Sequence, residues 1–137
     1  MGLIHLDAGV LIGALDGDDA HHGAATASLA RARVAGHRLE ICASVAAEIL
    51  VAPARHSARS ADVVEEFLDR AGIATVAVDR SIARCAAELR ARHTALRLPD
   101  ALVIATAVSR SADRLITTDR RWPTRLGLTD PLEIVRL

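Results

Sequence analysis

The chain of 137 residues contains no lysine, asparagine, glutamine or tyrosine, and it has one phenylalanine and one tryptophan. Mechanisms that need a lysine are therefore excluded, and the core must be built from alanine, valine, leucine and isoleucine. Basic and acidic residues balance at 17 each, which argues against a protein that coats nucleic acid, because such binding needs a basic excess. The length and composition predict a single globular domain over residues 1–137.

Cysteine is scarce as well. Cys42 and Cys85 lie in apolar stretches without CxxC spacing, so we interpret both as small buried residues. No apolar run reaches the roughly 18 residues that a membrane span needs. The first residues lack the basic region and apolar stretch of a signal peptide. We therefore expect a soluble cytoplasmic protein with no membrane partner.

Short apolar runs alternate with amphipathic stretches along the chain. They predict strands over 3–6, 39–43, 73–78, 114–117 and 132–135, and helices over 8–15, 20–35, 44–51, 58–71, 79–92 and 99–109. We expect Asp19 to help cap the second helix, Ser44 to cap the third and Pro53 to end it. Strands that alternate with helices indicate an α/β domain of three layers, α/β/α, with a central, mostly parallel sheet of about five strands.

Four acidic residues lie within one turn of a predicted element boundary. Asp7 follows the first strand and Asp119 follows the fourth. Glu48 lies shortly after the second strand, and Asp100 lies in the first turn of the helix that Pro99 opens. Ligands of open α/β sheets bind outside the carboxyl ends of the strands, so we expect at least three of these acids on one side of the sheet.

Each acid also has a structural interpretation. Asp7 and Asp119 are possible helix caps, and Asp100 suits the positive end of a helix macrodipole. Glu48 is harder to explain in this way, because it interrupts the apolar run 43–51 and has no lysine to pair with. Together the four carboxylates favour a divalent cation, since Mg²⁺ and Mn²⁺ prefer hard oxygen ligands. Such a cation can activate water and neutralise charge on a phosphodiester, and no His/Cys constellation suggests zinc.

Four segments of the chain share the order and spacing of a known family. They are Ile4-His5-Leu6-Asp7 with Val10-Leu11-Ile12, Ser44-Val45-Ala46-Ala47-Glu48-Ile49, Leu98-Pro99-Asp100-Ala101-Leu102-Val103-Ile104-Ala105-Thr106-Ala107, and Leu115-Ile116-Thr117-Thr118-Asp119-Arg120-Arg121-Trp122. This pattern resembles a PIN domain, and specifically the VapC-type toxin of a bacterial toxin–antitoxin pair. The resemblance extends over nearly the whole chain.

The resemblance implies a PIN-like fold and a Mg²⁺- or Mn²⁺-dependent endoribonuclease. Its Asp–Glu–Asp–Asp quartet of metal ligands corresponds to Asp7, Glu48, Asp100 and Asp119, with Glu48 completing the site and helping to orient the attacking water. The resemblance also implies a homodimer and a VapB-type antitoxin that inserts a segment over the acidic pocket. DNA contact comes only through that antitoxin, and the substrates are structured RNAs such as tRNA or ribosomal RNA.

The sequence departs from the family pattern at two positions. Gly9 stands where many relatives have a hydroxyl or amide side chain, which puts a hydrogen bond to the ligand shell in doubt. Arg121 stands where some relatives have a further acid, and the resemblance therefore implies that any second metal is held weakly. Thr117 or Thr118 offers a hydroxyl near Asp119, although a β-branched residue that simply ends a strand explains each of them as well.

Several basic residues lie close to the predicted site. Arg97, Arg120 and Arg121 are candidate RNA contacts, because a guanidinium can bind phosphate through two parallel hydrogen bonds; they are equally well explained as solvated surface charges. His5 shares the strand face of Asp7 and is close enough to reach the site. Packing against a covering helix is the more common role for such a histidine.

Other classes of protein fit less well. Receiver domains and haloacid-dehalogenase-like phosphatases use a lysine, and a nucleotide-binding domain would have a glycine-rich loop after the first strand. A metal-free ribonuclease with paired histidine and lysine is excluded as well, and only a variant that uses histidine alone stays open, because the chain has six histidines. The remaining alternative is a catalytically inert PIN-like module that only binds a partner. Divalent metal should stabilise the enzyme and leave the inert module unchanged.

Overall fold

A computed structural model describes residues 1–123, 125–129 and 131–137 of the chain. The strands are β1 (Leu3–Leu6), β2 (Arg38–Cys42), β3 (Ile73–Val76), β4 (Arg114–Thr117) and β5 (Glu133–Arg136). The helices are α1 (Ala8–Leu15), α2 (His22–Val34), α3 (Ala43–His56), α4 (Ala58–Arg70), α5 (Arg80–Arg92) and α6 (Leu98–Ser109). Within the described ranges, no helix is both long enough and apolar enough to cross a membrane.

The five strands form one sheet in the order β3-β2-β1-β4-β5, and all four pairings are parallel. The chain proceeds from β1 through β2 to β3 and then returns to β4 on the other side of β1. Because such crossovers are right-handed, α1 to α4 cover one face of the sheet, and α5 and α6 cover the other. The predicted three-layer fold is confirmed, with a sheet that is wholly parallel.

The central strands are buried on both faces. Every residue of β1 is buried, and so are the last three residues of β4. Parallel strands covered by helices on both sides have continuous apolar sequences for this reason. As the lack of aromatic residues requires, the largest fully buried apolar side chains are leucines and isoleucines, among them Leu6, Ile41 and Ile104.

Some predicted boundaries are wrong, and side-chain chemistry explains why. Helix α2 begins only at His22, because the Asp19 carboxylate accepts a hydrogen bond from the His21 N–H in a preceding turn. Ser44 does not cap α3, which starts directly after β2 while the Ser44 hydroxyl donates to Cys42 Sγ at 3.0 Å. Helix α3 continues past Pro53 to His56, since a proline in its last turns removes only one N–H donor.

Other predicted signals are confirmed. Gly36 and Gly72 follow the last turns of α2 and α4 with φ of 73° and 67°, a left-handed conformation that glycine adopts without strain. The Asp79 carboxylate caps α5 by accepting from the Ile82 N–H at 2.8 Å. These three residues fix where α2 and α4 end and where α5 begins.

Candidate metal centre

The strand order reverses between β1 and β4, so a crevice opens at the carboxyl ends of these two neighbouring strands. Asp7 directly follows β1, and its N–H donates to the Ile116 carbonyl at 2.9 Å, which extends the pairing of β1 with β4. Asp119 lies two residues beyond the end of β4. The fold therefore brings these two predicted site residues to the same crevice.

Asp7 is a buried carboxylate with 7% of its surface exposed. It caps α1, where Oδ1 accepts from the Ala8 N–H at 2.8 Å, and Oδ2 accepts from the Thr117 hydroxyl at 2.7 Å. Burial raises the pKa of Asp7 above its ordinary range despite these two bonds, and the charges of Asp100 and Glu48 raise it further. A cation at this position would relieve both effects.

Thr117 joins the two strand ends. Its buried hydroxyl donates to Asp7 Oδ2 and accepts from the Asp119 N–H at 3.0 Å. One hydroxyl therefore fixes the orientation of Asp7 and the backbone of Asp119 at the same time. Thr117 is thus more than a β-branched residue that ends a strand, and it holds two of the predicted site residues in place.

Asp119 forms an ion pair with Arg121. Asp119 Oδ1 accepts from Arg121 N and Nε at 2.8 and 3.1 Å, and Oδ2 accepts from Nη2 at 2.9 Å. The hydrogen bonds from the Arg121 guanidinium hold the pKa of Asp119 below its usual range. Both oxygens of this carboxylate are therefore already bound by an arginine of the same chain.

Asp100 and Glu48 approach from the surrounding helices. Asp100 lies in the first turn of α6 with 15% of its side chain exposed, and Arg97 Nε lies 3.5 Å from its Oδ2. Glu48 is exposed on α3, so the argument that an apolar run would bury it does not apply. Its charge nevertheless acts on Asp7, as does that of Asp100.

Carboxylate oxygens are the ligands that a hard cation prefers. In this structure, however, the acidic side chains do not all surround one position. In the part of the chain that the structure describes, no three His, Cys, Asp or Glu side chains are grouped closely enough to hold a metal ion. Asp7, Asp100 and Glu48 offer carboxylate oxygens, and the charges of Asp100 and Glu48 act on Asp7. A cation bound here would compete with Arg121 for the Asp119 carboxylate.

The departure from the family pattern at Gly9 has a steric explanation. A Cβ atom at position 9 would overlap Thr118 Oγ1 and would lie 3.4 Å from Thr118 Cβ. Glycine at position 9 therefore makes room for the Thr118 side chain as it stands here, and any larger residue would require that side chain to move. The hydroxyl that the family resemblance implies at position 9 is absent, and the Thr118 hydroxyl occupies the space beside Gly9.

His5 belongs to a buried polar network. Its Nε2 atom is 2.9 Å from Glu40 Oε2, and the Arg110 guanidinium donates to both oxygens of Glu40 at 3.0 and 2.9 Å. Burial lowers the pKa of His5, while the hydrogen bonds from Arg110 lower the pKa of Glu40. The structure thus places His5 in a packing role beneath α6, and this network was not foreseen from the sequence.

The three arginines proposed as RNA contacts differ in their surroundings. Arg97 and Arg121 pair with the site carboxylates Asp100 and Asp119, whereas Arg120 is exposed. Two of the three therefore neutralise the acidic crevice in this structure. Their contact with RNA stays a prediction.

An apolar groove runs beside the acids between α3 and α6. It has a volume of about 400 Å³ and is lined by Ser44, Ala47, Glu48, Val51, Leu98, Pro99 and Leu102. Val51 and Leu98 are 47% and 52% exposed. Glu48 lines this groove, so an apolar surface adjoins the acidic crevice.

Comparison with known proteins agrees with this architecture. Residues 4–125 match the PIN domain, so the chain belongs to the PIN domain family, as its sequence pattern predicted. Among curated proteins, none shows significant sequence similarity to this chain.

Solved structures of bacterial toxin–antitoxin proteins share the fold. VapBC2 from Rickettsia felis, bound to a promoter DNA fragment, has a TM-score of 0.75 at 16% identity, covering 96% of this chain and 98% of its own. DNA-bound VapBC from Salmonella typhimurium has a TM-score of 0.70 at 21% identity, covering 98% of both chains. VapC20 from Mycobacterium tuberculosis, a toxin that cleaves the sarcin-ricin loop, has a TM-score of 0.65 at 17% identity, covering 82% and 86%.

Proposed function

We propose that this chain is a Mg²⁺- or Mn²⁺-dependent endoribonuclease that acts as the toxin of a type II toxin–antitoxin pair. The observation that carries the proposal is Asp7, a buried carboxylate at the reversal of strand order, whose pKa is raised by burial and by the charges of Asp100 and Glu48. PIN membership and the fold shared with VapBC proteins support it. The cleavage of a ribosomal RNA loop by one of these similar structures favours structured RNA, of the tRNA or ribosomal class, as substrate.

The four acids have distinct roles in this proposal. Asp7, Asp100 and Asp119 would hold the cation directly or through water, and Glu48 would complete the site and help to orient the attacking water. The bound ion supplies an activated water and neutralises the charge that develops on the phosphodiester. Thr117 holds Asp7 and Asp119 in position relative to each other through its two hydrogen bonds.

Arginine side chains at the crevice would bind the RNA backbone. Arg121 and Arg97 pair with site carboxylates in this structure, and their guanidinium groups would be free for phosphate once those carboxylates bound a cation instead. Exposed Arg120 adds a third cation. Because the net charge of the whole chain is zero, RNA binding depends on this local group.

The apolar groove suits a protein partner better than RNA. Exposed Val51 and Leu98 beside the acids would accept an apolar segment of a VapB-type antitoxin, which would thereby cover the catalytic crevice. We further propose that the chain forms a homodimer in the cytoplasm and contacts DNA only through the antitoxin.

Two observations favour the second candidate, an inert PIN-like module that only binds a partner. The Asp119 carboxylate is already neutralised by Arg121, and no group of three ligands is preformed among the described residues. Metal binding separates this candidate from the enzyme.

Mn²⁺ is expected to raise the melting temperature of the wild-type chain. At 100 times the dissociation constant the stabilisation is about 2.7 kcal/mol, or roughly 10 °C for a domain of this size. Asp7→Asn keeps the helix-capping oxygen and removes the charge, so its shift should be less than a third as large. The measurement is differential scanning fluorimetry with and without Mn²⁺. An unchanged melting temperature of the wild type would favour the inert module.

Arg121→Ala is expected to tighten Mn²⁺ binding. The substitution frees both oxygens of Asp119 and removes a positive charge beside the cation, and the gain should be at least about fivefold, which corresponds to about 1 kcal/mol. Arg114→Ala is the matched control, because Arg114 also pairs with a carboxylate, that of Glu133, but at the opposite end of β4. Titration calorimetry measures both. Equal affinities for the two variants would show that Asp119 takes no part in binding the ion.

A further inference from the structure

The side chain of Thr118 lies directly against Gly9, where α1 begins beside the end of β4. A Cβ atom at position 9 would overlap Thr118 Oγ1. Gly9 follows Asp7 by two residues, and Thr118 immediately precedes Asp119. The Thr118 hydroxyl therefore occupies the space that a side chain at position 9, two residues after Asp7, would fill.

This hydroxyl is available to a ligand. Neighbouring Thr117 uses its hydroxyl to hold Asp7 and Asp119, whereas Thr118 Oγ1 has no hydrogen-bond partner among the residues that the structure describes. Thr118 is partly exposed, so solvent reaches it. Glycine in a helix costs roughly 0.5–1 kcal/mol relative to alanine, so Gly9 acts against helix propensity and permits the close approach of Thr118.

We propose that Thr118 is a positioning residue of the acidic site, whose hydroxyl holds a water molecule of the cation's hydration shell beside Asp7. The inference rests on the proposed metal site and adds a residue to it. Mg²⁺ keeps several of its waters when only a few carboxylates bind it, and a hydroxyl can both donate to and accept from such a water. Loss of an outer hydrogen-bond partner typically weakens metal binding 10–100-fold.

Calorimetric titration of the full chain with Mn²⁺ tests this role without depending on activity. Thr118→Val keeps the shape of the side chain and removes the hydroxyl, and it is expected to weaken Mn²⁺ binding about 10–100-fold. Thr118→Ser keeps the hydroxyl and should stay within about threefold of the wild type. Melting temperatures in the absence of metal confirm that both variants are folded.

An exchange of the hydroxyl across the crevice provides a second test. In the double variant Gly9→Ser, Thr118→Ala, a hydroxyl enters the same space from the α1 side, and Mn²⁺ affinity is expected within about threefold of the wild type. The matched double variant Gly9→Ala, Thr118→Ala has no hydroxyl there and should bind about 10–100-fold more weakly.

The outcomes separate this inference from the proposed function. Wild-type affinity in Thr118→Val, or equal affinities of the two double variants, would overturn the role of Thr118 and leave the metal site intact. A wild-type chain that binds no Mn²⁺ would remove the metal site and the role of Thr118 together.

Discussion

Asp100→Asn is expected to lower the rate of RNA cleavage by at least about 100-fold. Substitution of residues that only support metal ligands commonly costs 10–100-fold, so loss of a ligand should cost no less. The neutral amide keeps the size of a side chain that is 15% exposed in the first turn of α6. The amide loses the favourable interaction with the helix macrodipole, about 0.3–1 kcal/mol, and the charge attraction of exposed Arg97, which contributes little, so the melting temperature should fall by no more than a few degrees.

Asp69→Asn is the matched control for this prediction. It makes the same chemical change at an exposed aspartate of α4, four residues before the start of β3 and hence at the edge of the sheet opposite to the acids. Its cleavage rate should equal that of the wild type. Activity retained in Asp100→Asn, with both variants folded, would remove Asp100 from the site.

Glu40→Gln is expected to destabilise the fold by about 2 kcal/mol and to lower the melting temperature by roughly 5–10 °C. Glu40 is buried and accepts hydrogen bonds from His5 and from both donor nitrogens of Arg110. A neutral amide loses the charge-assisted bonds and turns one of its own N–H groups toward another donor. Thermal and urea unfolding of the purified variant measure the change.

Glu133→Gln makes the same substitution in an exposed pair. Glu133 accepts from Arg114 Nε at 2.9 Å, and both side chains are about half exposed. Exposed ion pairs contribute little, typically below about 1 kcal/mol, so this variant should unfold close to the wild type. If Glu133→Gln lost as much stability as Glu40→Gln, burial would not explain why the hydrogen bonds of Glu40 with His5 and Arg110 matter more.

The fold was largely predictable because its signals are local. Apolar strands, the glycines at 36 and 72 and the Asp79 cap each depend on a few neighbouring residues. The predictions for Ser44 and Pro53 were wrong because the tertiary structure around α3 outweighs the local helix signals of these residues. Helix α3 can start without a side-chain cap directly after a buried strand, and it tolerates a proline that removes one hydrogen bond.

The placement of Asp7 and Asp119 at one crevice was predictable from the sequence, whereas the partners of the acids were less so. Asp7 and Asp119 follow strands, so parallel pairing brings them to one crevice. The ion pair of Arg121 with Asp119 depends on a rotamer, and the contact of Gly9 with Thr118 depends on how closely a helix approaches a strand that lies about 110 residues away in sequence. Neither follows from the spacing of residues. The two threonines at the end of β4 were the available signal for Thr117.

Cleavage of total cellular RNA by the purified, antitoxin-free chain tests the proposed enzyme most directly. New 5′ ends would be mapped with Mg²⁺, with Mn²⁺ and with a chelator, and with Asp100→Asn alongside the wild type. We expect a few discrete cuts in structured RNA that require metal and disappear in the variant. Cuts that persist with chelator or in Asp100→Asn would contradict the proposed metal centre, and the absence of any cuts would favour the inert partner-binding module.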